Sequence, residues 1–183
     1  MEKTFHSNLR VNDYITHFPH AEGMISGLIG GLFATMVMDL VLMGVLSIAG
    51  LPALTCFSIV GSTLAHFFSV LGVEIAGGIQ LGVIGHYLIG PMLGAIFGVA
   101  VTRVSVRRLD TAMKIVLLAI VYIEIVSQPI LALTPLLLKM TAPETLQWFG
   151  ESFVVHLLWG VVFGGIMSQQ LRLKTMLPTK RLT

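Results

Sequence analysis

Four stretches, roughly 24–50, 79–102, 112–138 and 149–169, each run for about 20 mainly apolar residues or more. An α-helix needs about 20 residues to cross the hydrocarbon core of a bilayer. Inside that core every backbone N–H and C=O must be satisfied within the protein. This one feature therefore sets the fold class as all-α, a polytopic membrane four-helix bundle. Charge content agrees, because only 11% of the 183 residues are charged, against about 25% in a soluble domain.

The bundle, residues 23–170, lies between a polar N-terminal segment (1–22) and a basic tail (171–183). The N-terminal segment lacks the basic start, short apolar core and cleavage site of a signal peptide. The first span is therefore expected to stay in the mature protein. A net charge of +2, localised at loops, offers no surface for nucleic acid. The single cysteine, Cys56, excludes an intrachain disulfide and any CxxC metal or redox motif.

A fifth apolar stretch, TCFSIVGSTLAHFFSVLGV (55–73), carries Ser58, Ser62, Thr63, His66 and Ser69. It is expected to lie at the membrane surface or to re-enter it, because of where the basic residues fall. Lys3 and Arg10 precede the first span, and Arg103, Arg107, Arg108 and Lys114 flank the second-to-third connection. Arg172, Lys174, Lys180 and Arg181 close the chain, whereas the 51–78 connection has no Lys or Arg. Four spans with both termini cytoplasmic satisfy the positive-inside rule, and a fifth would move one basic cluster outside. In that topology Pro143 suits a helix start, and Trp148 suits an anchor at the outer interface.

Reading every fourth residue gives the clearest internal pattern. The first span runs Gly23, Gly27, Gly31, Thr35, Asp39; the second runs Gly78, Gly82, His86, Gly90, Gly94, Gly98. The fourth runs Ser152, His156, Gly160, Gly164, Ser168. Residues four apart share a helix face, and stripes of small residues let membrane helices approach closely. The ionisable group on each stripe is therefore expected to face protein. The third span carries Glu124 instead, close to Ser127, Gln128 and Pro129. Pro129 cannot bond the carbonyl four residues back, and Ser127 or Gln128 is expected to satisfy a carbonyl near Glu124.

The second and fourth spans share His-x-x-x-Gly-x-x-x-Gly, so the chain reads as two helix pairs, each with a carboxylate and then a histidine. At 1.5 Å per residue, His86 and His156 lie about 10 Å in from the outer ends of their helices. Asp39 and Glu124 lie roughly 16 Å and 20 Å in. All four are expected in one slab of the bilayer.

GLIGGLFATMVMD, GHYLIGPMLGAIFG and HLLWGVVFGG resemble a family of small bacterial four-helix integral membrane proteins of uncharacterised function. The resemblance runs from about Gly23 to Ser168 and carries Asp39, His86 and His156. It implies the four-helix fold and the bacterial inner membrane, and no activity.

Three functions fit these residues. The first is a non-catalytic accessory or structural subunit of a larger membrane complex, with Asp39–His86 and Glu124–His156 as buried pairs. Its partners would be the lipid bilayer and other membrane subunits, or copies of itself through exposed glycine stripes. The second is an intramembrane electron-transfer protein, with His86 and His156 as ligands of haem b or a transition metal, since His and carboxylates in a bundle core form a known ligand set. The third is a proton-linked transporter or channel, because intramembrane Asp, Glu and His are the usual relay groups. An enzyme is least expected, since no GxSxG, HExxH or phosphate-loop motif is present.

Overall fold

The computed structural model describes residues 20–103 and 112–176. The basic residues Lys3, Arg10, Arg107, Arg108, Lys180 and Arg181, on which the expected orientation rests, lie outside them. Among the described residues every regular element is a helix: α1 (His20–Ile48), α2 (Thr55–Val70), α3 (Ile79–Arg103), α4 (Ala112–Leu138) and α5 (Ala142–Met176). Helices α1, α3, α4 and α5 are long and apolar enough to cross a membrane, and α2 is too short. Large apolar side chains such as Leu88 and Ile125, each 65% exposed, cover the outside of the bundle. That surface suits lipid. The protein is a multi-pass membrane bundle.

Helices α1 and α3 run antiparallel in backbone contact. A Cβ at Gly27 would overlap the Gly94 carbonyl, and one at Gly98 would overlap the Gly23 carbonyl. Gly31 stands so close that its Cβ would lie 2.8 Å from the Gly90 oxygen. Helices α4 and α5 pair in the same way, with Cβ atoms at Gly160 and Gly164 falling 2.7 and 2.6 Å from the Cα atoms of Ile120 and Val116. The glycine stripes are thus spent inside one chain. They are not the exposed surfaces for self-association that the sequence led us to expect.

The two pairs close on an aromatic core. Trp159 stacks on Phe163 at 4.5 Å, and Phe163 meets Phe97 edge-on at 5.2 Å. The Trp159 indole Nε1 donates to Thr35 Oγ1 at 3.0 Å, tying α5 to α1.

Helix α2 runs antiparallel to α3 and is held by the same device. A Cβ at Gly61 would strike the Gly78 carbonyl, and one at Gly82 the Phe57 carbonyl. Phe57 packs edge-on against His86, with ring centroids 5.2 Å apart. That contact puts the first turn of α2 about 10 Å from the Ile79 end of α3, at 1.5 Å per residue. The chain therefore turns back into the bundle after α1, and α2 does not lie flat across its end. Gly72 and Gly78 then turn it toward α3 at φ +80° and +97°, where a side chain would be strained.

Helix α5 begins at Ala142, about two turns before the expected 149, with Pro143 in its first turn. Trp148 is consequently not an interfacial anchor. It is 9% exposed, and its Nε1 donates to the Leu131 carbonyl at 3.1 Å. The reason is Pro135, which has no N–H to give the carbonyl four residues back. Trp148→Phe is expected to cost about 1–3 kcal/mol, the penalty of a buried acceptor left unpaired. Adding Pro135→Ala should restore most of that loss, as read by denaturant unfolding in detergent.

Candidate functional site

Backbone register brings the four ionisable residues to one level. Thr35, bonded to Trp159, lies against Gly90. One turn from that level, toward the start of α3, stand Asp39 on α1, His86 on α3 and His156 on α5. On α4 the contacts Val116–Gly164 and Ile120–Gly160 continue, one step further, to Glu124 opposite His156.

Side chains then separate them. His86 Nδ1 and Asp39 Oδ1 are 3.0 Å apart, joining α1 to α3 at a carboxylate that is only 3% exposed. His156 instead turns back along its own helix, its Nδ1 donating to the Ser152 carbonyl at 2.7 Å. Glu124 does not pair with it. Both Glu124 carboxyl oxygens are shielded and have no hydrogen-bond partner, as is true of Asp39 Oδ2. Ser127 Oγ reaches the Glu124 backbone carbonyl at 3.5 Å. Because the Glu124 carboxyl is shielded without a partner, Glu124→Leu is expected to raise stability by about 1 kcal/mol, measured by unfolding in the same detergent.

A cavity of about 120 Å³ lies at this level, walled by residues of all five helices. Its surface is mostly apolar, from side chains such as Leu42, Val60, Ile89 and Leu93. The polar groups in its wall include His86, His156, Cys56, Ser127 and Thr134. Thr63 donates to Thr134 at 3.2 Å, closing the wall between α2 and α4. Glu124 is not part of the lining. Each histidine thus has one ring nitrogen fixed by an acceptor, which leaves Nε2 for whatever enters.

Cys56 is the member of this site that sequence reasoning missed. Its side chain lines the same cavity as His86, and its neighbour Phe57 packs against that ring. Its one visible signal was being the sole cysteine, at the start of the fifth apolar stretch. Its approach to His86 depends on α2 turning back into the bundle, which no local pattern encodes.

These residues do not surround a metal. Among the described residues no three His, Cys, Asp or Glu side chains converge on a point that could hold an ion. A haem does not fit either, since a cavity of about 120 Å³ is comparable to the roughly 150 Å³ that accommodates benzene. A porphyrin is several times larger.

Fold and site together define a class: a four-span membrane bundle with a re-entering half-length helix and a mainly apolar cavity bearing two histidines. Comparison of the chain with protein-family models, with curated proteins and with solved structures gave no match.

Proposed function

We propose that this protein is a membrane-embedded binding protein that holds a small, largely apolar ligand in its interior through His86 and His156. The observation that carries this reading is the cavity itself. Apolar walls with a few convergent polar groups are what small-ligand sites share, and both histidines line the same space. Leaving such groups unpaired in a bilayer is costly unless they serve an occupant.

The test is purification from native membranes in mild detergent, followed by native mass spectrometry and solvent extraction. One small organic molecule per chain is expected. It should be lost from His156→Phe, in which the larger ring fills the space, and kept in Glu124→Gln, which lies outside the lining. Wild-type protein that is empty throughout overturns the reading. Partner chains present in fixed ratio in the same preparation would place the protein in a complex, the setting expected from the sequence.

Our proposal for orientation puts both termini on the cytoplasmic side of a bacterial inner membrane, supported by the distribution of Lys and Arg. A reporter enzyme active only outside the cytoplasm, fused after Thr183, should be silent, and one inserted in the 139–141 loop should be active. The reverse pattern overturns the orientation.

A further inference from the structure

The binding reading leaves open what the cavity holds, and the hydrogen bonds of its wall narrow that to one class. Several polar groups in the wall are already bonded to protein. Trp159 Nε1 donates to Thr35, Trp148 Nε1 to the Leu131 carbonyl, and Thr63 to Thr134. Both indoles line the space, yet with their N–H groups bonded they offer an occupant only aromatic carbon. The two imidazoles differ, because a ring has two nitrogens and here Nδ1 alone is bonded to oxygen.

Counting protons fixes the character of each Nε2. The Ser152 carbonyl can only accept, so His156 Nδ1 carries hydrogen. No carboxylate is bonded to His156, and both Glu124 oxygens are without a partner. An unpaired charge inside a bilayer is costly, so the ring is neutral and its Nε2 is an acceptor. His86 is the opposite case. With Asp39 it forms a pair of net charge zero, the state a bilayer favours. Such a pair holds two protons, one of them shared between Nδ1 and Oδ1. Wherever the shared proton rests, the other is on His86 Nε2, which is a donor.

The site thus combines one acceptor, one donor and no net charge. A carboxylate or an ammonium ligand would bring an uncompensated charge into the membrane interior. A hydrocarbon would leave both ring nitrogens unpaired. A hydroxyl answers either ring, giving its hydrogen to His156 or accepting one from His86. Size sets the rest, since about 120 Å³ compares with the roughly 150 Å³ that accommodates benzene. We propose that the occupant is a neutral phenol, a single aromatic ring whose hydroxyl is read by His86 and His156. The proposal rests on the binding reading above and names the class of its ligand.

The test is equilibrium dialysis of radiolabelled phenol against purified full-length protein, with protein-free detergent micelles as the blank. One saturable phenol per chain is expected, and none in His156→Phe. Toluene, in which a methyl replaces the hydroxyl, should compete about tenfold less well, the worth of one buried hydrogen bond. Benzoate and benzylammonium should not compete. His156→Leu removes the acceptor and keeps the space, so it should weaken phenol about tenfold and leave toluene within about twofold. A merely structural role would weaken both. Toluene competing as well as unlabelled phenol overturns the proposal, as does displacement by benzoate, and neither result depends on a variant that folds. Solvent extraction of protein from native membranes separates the two sources of such a ring. A free phenol and a phenol ring on a hydrocarbon tail differ in mass, and either supports the proposal. A bound molecule without a ring hydroxyl overturns the phenol assignment and leaves the binding reading standing. Protein that carries nothing from the membrane and takes up no phenol removes both.

Discussion

Gly94→Val is expected to abolish or nearly abolish recovery of folded protein. A Cβ at this position would overlap the Gly27 carbonyl and lie 2.9 Å from the Gly31 Cα. Both obstacles are backbone, so no rotamer change relieves them and the α1–α3 seam must open along its length. Overpacking a core costs about 1–3 kcal/mol when side chains can shift, and here they cannot, so the loss should exceed about 3 kcal/mol. In a bilayer that loss has little to offset it, because close van der Waals contact replaces the hydrophobic drive between helices. The comparison is Gly150→Val, where nothing lies within 4 Å of the added Cβ, and it should cost no more than about 1 kcal/mol. The two tryptophans of the chain, Trp148 and Trp159, are both buried, so their fluorescence reports unfolding directly. Equal stability of the two variants would mean that the glycine seam does not hold the helices.

The second large effect is an asymmetry within the Asp39–His86 pair. His86→Leu strands a carboxylate that is 3% exposed and already has Oδ2 unpartnered. Removing one partner of a buried pair costs about 3–5 kcal/mol, mostly for the charge left behind. Asp39→Leu strands only an imidazole, which can remain neutral, and should cost about 1–2 kcal/mol, as for an unpaired polar group. The double variant, apolar at both positions, is expected to recover most of the His86→Leu loss. A double-mutant cycle by unfolding in detergent gives all three values. Equal losses from the two single variants, with no recovery in the double, would show that the pair does not act as a unit.

The parts of this molecule that were legible in the sequence are those written in local pattern. Span length sets the helices, and the observed α3 and α4 coincide with the expected 79–102 and 112–138 to within a residue. Periodicity of four marks the glycine faces, and those faces do meet neighbouring helices. The Asp39–His86 contact follows from two such stripes packing antiparallel. The Glu124–His156 pair failed although its register is right. A ring four residues after a carbonyl on its own helix can reach that carbonyl's second lone pair, and His156 bonds Ser152. Side-chain choice at equal depth is not set by spacing.

Trp148 shows the same division. An aromatic near a span end reads as an interfacial anchor, yet the Leu131 carbonyl released by Pro135 draws its indole inward. The donor and the acceptor lie on different helices, so only their packing reveals the bond. Cys56 is the sharper case. Nothing in residues 55–73 predicts that the first turn of α2 reaches His86, because the approach depends on Gly61 and Gly82 letting two backbones touch.

The sequence by itself determined that this chain is a membrane bundle of four helices, three of them with a small-residue face that carries an ionisable group. Those properties follow from hydrocarbon length and helical period, which act within each segment. Only the tertiary structure decided that the glycine faces are used up internally, that His156 leaves Glu124 without a partner, and that a cavity forms with Cys56 in its wall. Each of these depends on which backbones come close enough to exclude a Cβ, and that is a property of pairs of helices.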